Sequence, residues 1–227
     1  MAMISKNLSL IKEEIKKASL RSDRAPDSIK LVAVTKNVDI EKIREASSLG
    51  VSDIGENRIQ EAKSKLGDLK SLNICWHMVG HLQTNKVKYA VDIFEYIHSL
   101  DSIKLAEEID RCSRIKNKYQ KVFIEVNTSG EETKFGVSED NIEALVSRIV
   151  EFKQLDLVGF MTVAPFTDNK DAIRGSFRRL RIVRDDISKK LNRKLYLSMG
   201  MSDDFEIAIE EGADFIRLGR AIFGERL

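Results

Sequence analysis

Short apolar runs rich in β-branched residues recur through all 227 residues, each followed by a stretch with helical spacing. Leu31-Val32-Ala33-Val34-Thr35 is the first. Ile40, Ile43, Ala46 and Leu49 then fall at helical intervals, and Gly50 stands where a C-cap glycine belongs. Further strand signals lie at Asp53-Ile54-Gly55, Trp76–Val79, Phe94–Ile97, Val122–Val126, Leu157–Met161, Leu195–Leu197 and Phe215–Leu218. The clearest helical stretches between them are Ser102–Ile115, Ser138–Phe152, Asp171–Leu191 and Asp203–Glu211, and an opening helix covers Ile4 to Ser19. Strand candidates at a mean spacing of roughly 25 residues leave room for the crossover helices that parallel pairing requires. Several are continuous apolar runs, as expected of strands with helices on both faces. An open doubly wound sheet is the rival architecture, but LVAVTKNV has no glycine, so the GxGxxG turn after a first strand is missing. The pattern predicts an α/β fold: a single (β/α)8 TIM barrel over residues 1–227, with the extra N-terminal helix against its bottom or side.

Composition narrows the function. Hydrophobic residues make up 42% of the chain, enough for a genuine core. Pro26 and Pro165 are the only prolines and no Gly/Ser-rich linker occurs, so no domain boundary is evident. Lys and Arg number 38 against 36 Asp and Glu, a net charge of +2 without the basic footprint of a nucleic-acid binder. The longest stretch free of charged residues, Ser71 to Asn85, is about half polar and does not fit a membrane span. The N-terminal MAMISKNLSLIKEEIKK has no apolar signal region. Cys75 and Cys112 lie far apart without ligand spacing, which excludes a disulfide scaffold and a zinc site. The expectation is a soluble cytoplasmic protein with no metal.

In such a barrel the chemistry sits at the C-terminal ends of the strands. Lys36 ends the first; Glu56 and Asn57 follow the second; His77 and His81 flank the third. Asn127 and Thr128 follow the fifth, Met161 closes the sixth, Ser198–Ser202 follow the seventh and Arg217–Arg220 end the eighth. Val32, Val34 and Lys36 share one face by the period-two rule, so an inward face points the amine into the barrel mouth. Desolvation there would favour the neutral amine, which attacks carbonyls. A solvated lysine at a strand-to-helix turn is the plainer reading, and it prevails for Lys36 taken alone. Arg217 stands mid-strand among apolar neighbours and needs an acceptor, which a protein carboxylate or a ligand supplies equally well.

Gly200, Ser202 and Gly219 fall in the loops after strands seven and eight, where barrels frequently hold phosphate. Ser202 is expected to begin a helix whose N–H groups favour an anion, a reading compatible with an ordinary N-cap. Amine, anion hole and arginine together describe a receptor for a phosphorylated, carbonyl-bearing heterocycle, and pyridoxal phosphate meets all three requirements. Arg217 can only donate, so the ring nitrogen would stay unprotonated and the ring would be a poor electron sink. A barrel enzyme acting on a sugar phosphate would use the same anion site. His77 reads as a hydrogen-bonded wall residue, and His98 as a strand-end residue without a role. The basic stretch Arg174 to Arg184 reads as a solvated outer face.

LVAVTK, IGENRIQE, WHMVGHLQTNK, VNTSGEETKFGV, GFMTVAP and LSMGMSDDFEIAIEEGADFIRLGRAIFG together resemble the pyridoxal phosphate homeostasis proteins. These are relatives of the N-terminal barrel of alanine racemase, the fold-type III pyridoxal phosphate proteins. The resemblance runs from about Leu31 onward and implies a protein that holds the cofactor and buffers or delivers it, without catalytic residues. It assigns Lys36 to the Schiff base, Arg217 to the pyridine nitrogen, and Ser202, Gly219 and Arg220 to the phosphate. Asn57, Met161 and Met201 become neighbours of the cofactor. Arg220 stands where many members carry threonine, so its contact is assigned to the backbone. Apo forms of pyridoxal phosphate enzymes are the implied recipients, and a monomer is the implied state. The alternative is an amino-acid racemase of low activity. Racemisation needs a base on each face of the cofactor, and in alanine racemase a tyrosine from a C-terminal β domain supplies one. The chain stops at Leu227, so no such domain is expected here.

Overall fold

The computed structural model describes residues 2–129, 131 and 135–225. Each strand signal becomes a strand of one closed parallel barrel: β1 Lys30–Val34, β2 Asp53–Glu56, β3 Cys75–Met78, β4 Tyr96–Leu100, β5 Gln120–Glu125, β6 Leu155–Met161, β7 Tyr196–Ser198 and β8 Phe215–Leu218. Spatial order follows chain order, and β8 closes on β1 with Val32 opposite Arg217. Helices separate the strands: α1 Ala2–Arg21, α2 Ile40–Ser48, α3 Ile59–Leu69, α4 Val87–Ile93, α5 Ile103–Ile115, α6 Ile142–Ile149, α7 Lys170–Leu191, α8 Phe205–Glu210 and α9 Arg220–Phe223. Among the described residues, no helix is long and apolar enough to cross a membrane.

Two apolar layers result from the strand alternation. The larger lies between barrel and helices, where Ala33, Ile54, Ile97, Val122 and Ile124 meet the buried faces of the helices. A small one fills the ring itself: Val32, Phe123, Val158, Met161 and Phe215. At β6 the fit is close enough to dictate a residue type. A Cβ on Gly159 would lie 1.9 Å from the carbonyl oxygen of Tyr196 on β7, so only glycine lets the two backbones meet.

Helix α1 lies along the side of the barrel against α8 and α9. Ile4, Leu8, Ile11, Ile15 and Ala18 recur at helical spacing and are buried. Each large side chain among them contributes about 1.5–3 kcal/mol on burial. Arg21 at its end bonds Glu206 and Glu210 of α8. The basic stretch on α7 is not a purely solvated face. Arg174, Arg178 and Arg181 converge on the buried Glu211 carboxylate, at 3.1, 3.3 and 3.2 Å.

Candidate functional site

Lys36 sits in the turn that leaves the C-terminal end of β1, half-buried between two anchored neighbours. On one side Thr35 is buried: its N–H donates to Gly55 O at 2.9 Å and its hydroxyl to Glu56 Oε1 at 2.6 Å. On the other, Asn37 adopts the left-handed region (φ 56°) and its N–H donates to Glu61. Lys65 ties both sides together from α3. Its buried ammonium reaches Thr35 O at 2.7 Å, Glu56 at 2.8 Å and Glu61 at 2.9 Å. Burial raises the Glu56 carboxyl above its ordinary range despite the bonds from Lys65 and Thr35. Glu56 thus points into the helix layer, as part of the support beneath Lys36.

Lys36 borders two cavities at the barrel mouth. One, of about 430 Å³, is lined by Lys36, Asn57, Met78, Gly80 and His81 among others. The other, of about 250 Å³, is lined by Lys36, Val34, Asn37, Gly219 and Arg220 among others. The structure therefore brings Asn57, Gly219 and Arg220 together around Lys36. Met201, Ser202 and Arg217 line neither cavity.

Ser202 does not begin a helix. Asp204 takes the Met201 N–H on its own Oδ1 at 2.5 Å and closes a turn, so α8 starts at Phe205. Ser202 instead accepts the Ala221 N–H at 3.2 Å and so binds its loop to the first turn of α9, whose N-cap is Gly219. Gly200 holds the neighbouring bend at φ 93°, where a Cβ would lie 2.6 Å from Ala208 Cβ. The Arg220 guanidinium pairs with Asp203. Met201 is exposed.

Arg217 lies deeper, 5% exposed, on the face of β8 that Gly219 continues. Its Nη1 donates to Ser198 Oγ and its Nη2 to Thr162 O, both at 2.8 Å. A guanidinium carries five N–H hydrogens, so three remain beyond these bonds. Burial lowers its pKa to about 10, against the opposing charges of Asp204 and Glu125. Glu125, at the end of β5, is held protonated up to about pH 7 by burial and by Asp101, with Arg217 opposing.

Beneath Arg217 runs a file of polar side chains. His98 Nδ1 lies 2.8 Å from Ser198 Oγ, and His98 Nε2 lies 3.0 Å from His77 Nδ1. His77 Nε2 lies 2.9 Å from Asp53 Oδ1, which also meets Lys30 at 3.2 Å. Burial lowers both imidazole pKa values. For Asp53 burial acts upward, yet the bonds from His77 and Ser52 hold the carboxyl at about 2. His77 is the wall residue its sequence position implies, and His98, unassigned from sequence, is its partner. Asp53, Cys75 and His77 also offer atoms within 4.8 Å of one another. Burial pushes the Cys75 thiol up to about 12, which suits a metal ligand poorly.

The family described as alanine racemase, N-terminal domain, matches residues 7–227. A pyridoxal phosphate homeostasis protein of Aquifex aeolicus is 45% identical over 220 residues, covering 96% of each chain. The structure of PipY of Synechococcus elongatus with PLP bound is 33% identical, with a TM-score of 0.85 over 97% of this chain and 100% of that one. Alanine racemase of Clostridium difficile shares the fold at 14% identity, with a TM-score of 0.80 over 100% of this chain and 57% of its own.

Proposed function

The chain belongs to the pyridoxal phosphate homeostasis proteins, within the alanine racemase N-terminal domain family, and from that premise we propose that it holds pyridoxal 5'-phosphate through Lys36. In this reading it buffers the cofactor and delivers it to apo-enzymes, and turns over no substrate. The observation that carries the reading is the setting of Lys36. A half-buried amine with both neighbours anchored stands between Asn57 on one side and Gly219 and Arg220 on the other.

The donor set fits the group. Ser202 and the backbone at Gly219 and Arg220 suit a phosphate. Met201 adds an apolar side chain beside them, and Arg217 keeps N–H hydrogens for the ring nitrogen. Bound there, the cofactor supplies a carbonyl that an amine adds to and a ring that draws electrons only weakly while its nitrogen is unprotonated. Lys36 supplies that amine. Arg217 has no lone pair, so it can only donate and gives the nitrogen no proton. Half-exposure of Lys36 suits loading and release, and shields a carbanion poorly.

Borohydride reduction of the protein mixed with pyridoxal phosphate, followed by intact-mass measurement and peptide mapping, tests this. One phosphopyridoxyl group on Lys36 is expected, and none at that position in Lys36→Ala. Equal labelling of parent and variant refutes the assignment, and amino-acid racemisation at ordinary enzymatic rates refutes the carrier role.

A further inference from the structure

The hydrogen bonds beneath Arg217 have a direction that the Asp53 end imposes and the Arg217 end accommodates. A guanidinium only donates, so Ser198 Oγ accepts from Arg217. After that bond Ser198 Oγ keeps one hydrogen and one lone pair, so it can donate to a bare His98 Nδ1, 2.8 Å away, and the choice between donating and accepting is made at the Asp53 end. A neutral His98 with a bare Nδ1 carries its hydrogen on Nε2, facing His77 Nδ1 at 3.0 Å. His77 Nδ1 must in turn be bare, which puts the His77 hydrogen on Nε2, 2.9 Å from Asp53 Oδ1. Asp53, an ionised carboxylate that only accepts, is what fixes this arrangement: a neutral His77 that donates from Nε2 leaves its Nδ1 bare, and the rest of the file follows. Both ends agree, and every link is satisfied once.

The three members between Arg217 and Asp53, and Asp53 itself, are enclosed: Ser198, His98 and His77 are 0% exposed and Asp53 is 5% exposed. His77 is held flat against Tyr96, ring centroids 4.6 Å apart, and His98 against Phe123 at 4.4 Å. The rings therefore keep the planes that the hydrogen bonds need. Both bonds that Arg217 makes are to neutral oxygens, Ser198 Oγ and Thr162 O, while Asp204 and Glu125 act on it through space. Dipoles aligned head to tail reinforce one another, so the file carries the influence of the Asp53 carboxylate to the buried cation.

We propose that Ser198, His98 and His77 are positioning residues for Arg217: a one-directional file anchored on Asp53 that fixes the guanidinium and leaves its unspent N–H groups for the ring of the bound cofactor. Its effect on the cofactor rests on the reading of Lys36 and Arg217 given above; the file itself does not. The arrangement cannot run in reverse, because the ionised Asp53 has no hydrogen to give and a reversed file would set a bare His77 Nε2 against it. It is a fixed support and not a proton wire.

Two measurements separate these levels. Histidine-selective ¹⁵N spectra of the cofactor-free protein should show both His77 and His98 neutral with the hydrogen on Nε2. In Ser198→Ala the hydrogens should stay on Nε2, because Asp53 still fixes them, whereas Asp53→Ala removes the anchor and both imidazoles should lose their single tautomer. A charged imidazole, or a hydrogen on His98 Nδ1 in the parent, overturns the file whatever the protein binds. Pyridoxal phosphate titration then reads the consequence. Ser198→Ala should weaken binding roughly ten-fold and shift the absorption band of the lysine adduct, and Ser198→Thr, which keeps a hydroxyl, should restore both. Equal affinity and an identical band in Ser198→Ala overturn the positioning role. Failure of the parent to label at Lys36 would instead refute the binding mode and leave the ¹⁵N result standing.

Discussion

Glu125→Gln is a direct probe of the electrostatics at the barrel mouth. Burial and Asp101 raise the Glu125 carboxyl from its ordinary 4.5 to about 7. Between those two values the folded protein keeps the proton and the unfolded chain releases it. This group's contribution is therefore fully present below about pH 4.5 and is lost as pH rises through about 7. At ~1.4 kcal/mol per pH unit the loss amounts to about 3 kcal/mol. Glutamine fills the same space and never ionises. Urea denaturation of the cofactor-free proteins at pH 5, 6, 7 and 8 should show parent and variant close at the lowest pH, with the variant ahead by about 3 kcal/mol at the highest. Subtraction cancels the other titrating groups common to both proteins. Within the variant the slope should reverse in the acid range. His77 and His98 have lowered pKa values, so the unfolded chain binds more protons and stability falls as pH drops below 6.5. A difference between the proteins that stays constant from pH 5 to 8 would refute the reasoning about Glu125.

Two further substitutions test the frame. Gly159→Ala places a methyl 1.9 Å from Tyr196 O and should cost about 3 kcal/mol through separation of β6 from β7. An unchanged urea midpoint would show that the strands tolerate the displacement. Lys65→Met leaves Glu56 and Glu61 without their ammonium and leaves the Thr35 carbonyl only the Val38 N–H. It should destabilise by about 3–5 kcal/mol and slow borohydride labelling of Lys36, whereas parent-like labelling would detach Lys36 from its support.

The strands were legible because each is an apolar run covered on both sides, and period two alone aligned Val32, Val34 and Lys36. Helix ends were harder. Nothing local tells whether Asp204 will cap a helix or tie back Met201 N–H, and that choice moved the start of α8 past Ser202. Phe94, read as the start of a strand, instead closes α4 by donating to Ala90 O. The short α4 and α9 give too few turns for a periodicity to register. The site divided along the same line. Lys36, Asn57, Gly219 and Arg220 sit at strand ends, where topology alone places them. His77 was legible as a wall residue, but the partners of the histidines were opaque because they are remote in the chain: His98 meets Ser198, 100 residues away, and His77 meets Asp53, 24 residues away. Spacing rules written for metal ligands do not detect a pairing made across the inside of a closed sheet.

Closure of the ring sets Lys30 opposite Phe215 and Ala33 opposite Leu218. The two walls of the Lys36 cleft consequently come from the earliest and the latest strands to leave the ribosome. Without β8 the chain keeps Lys36 but has no Gly219 or Arg220 across from it, so the cleft of about 250 Å³ between them exists only once the ring is closed.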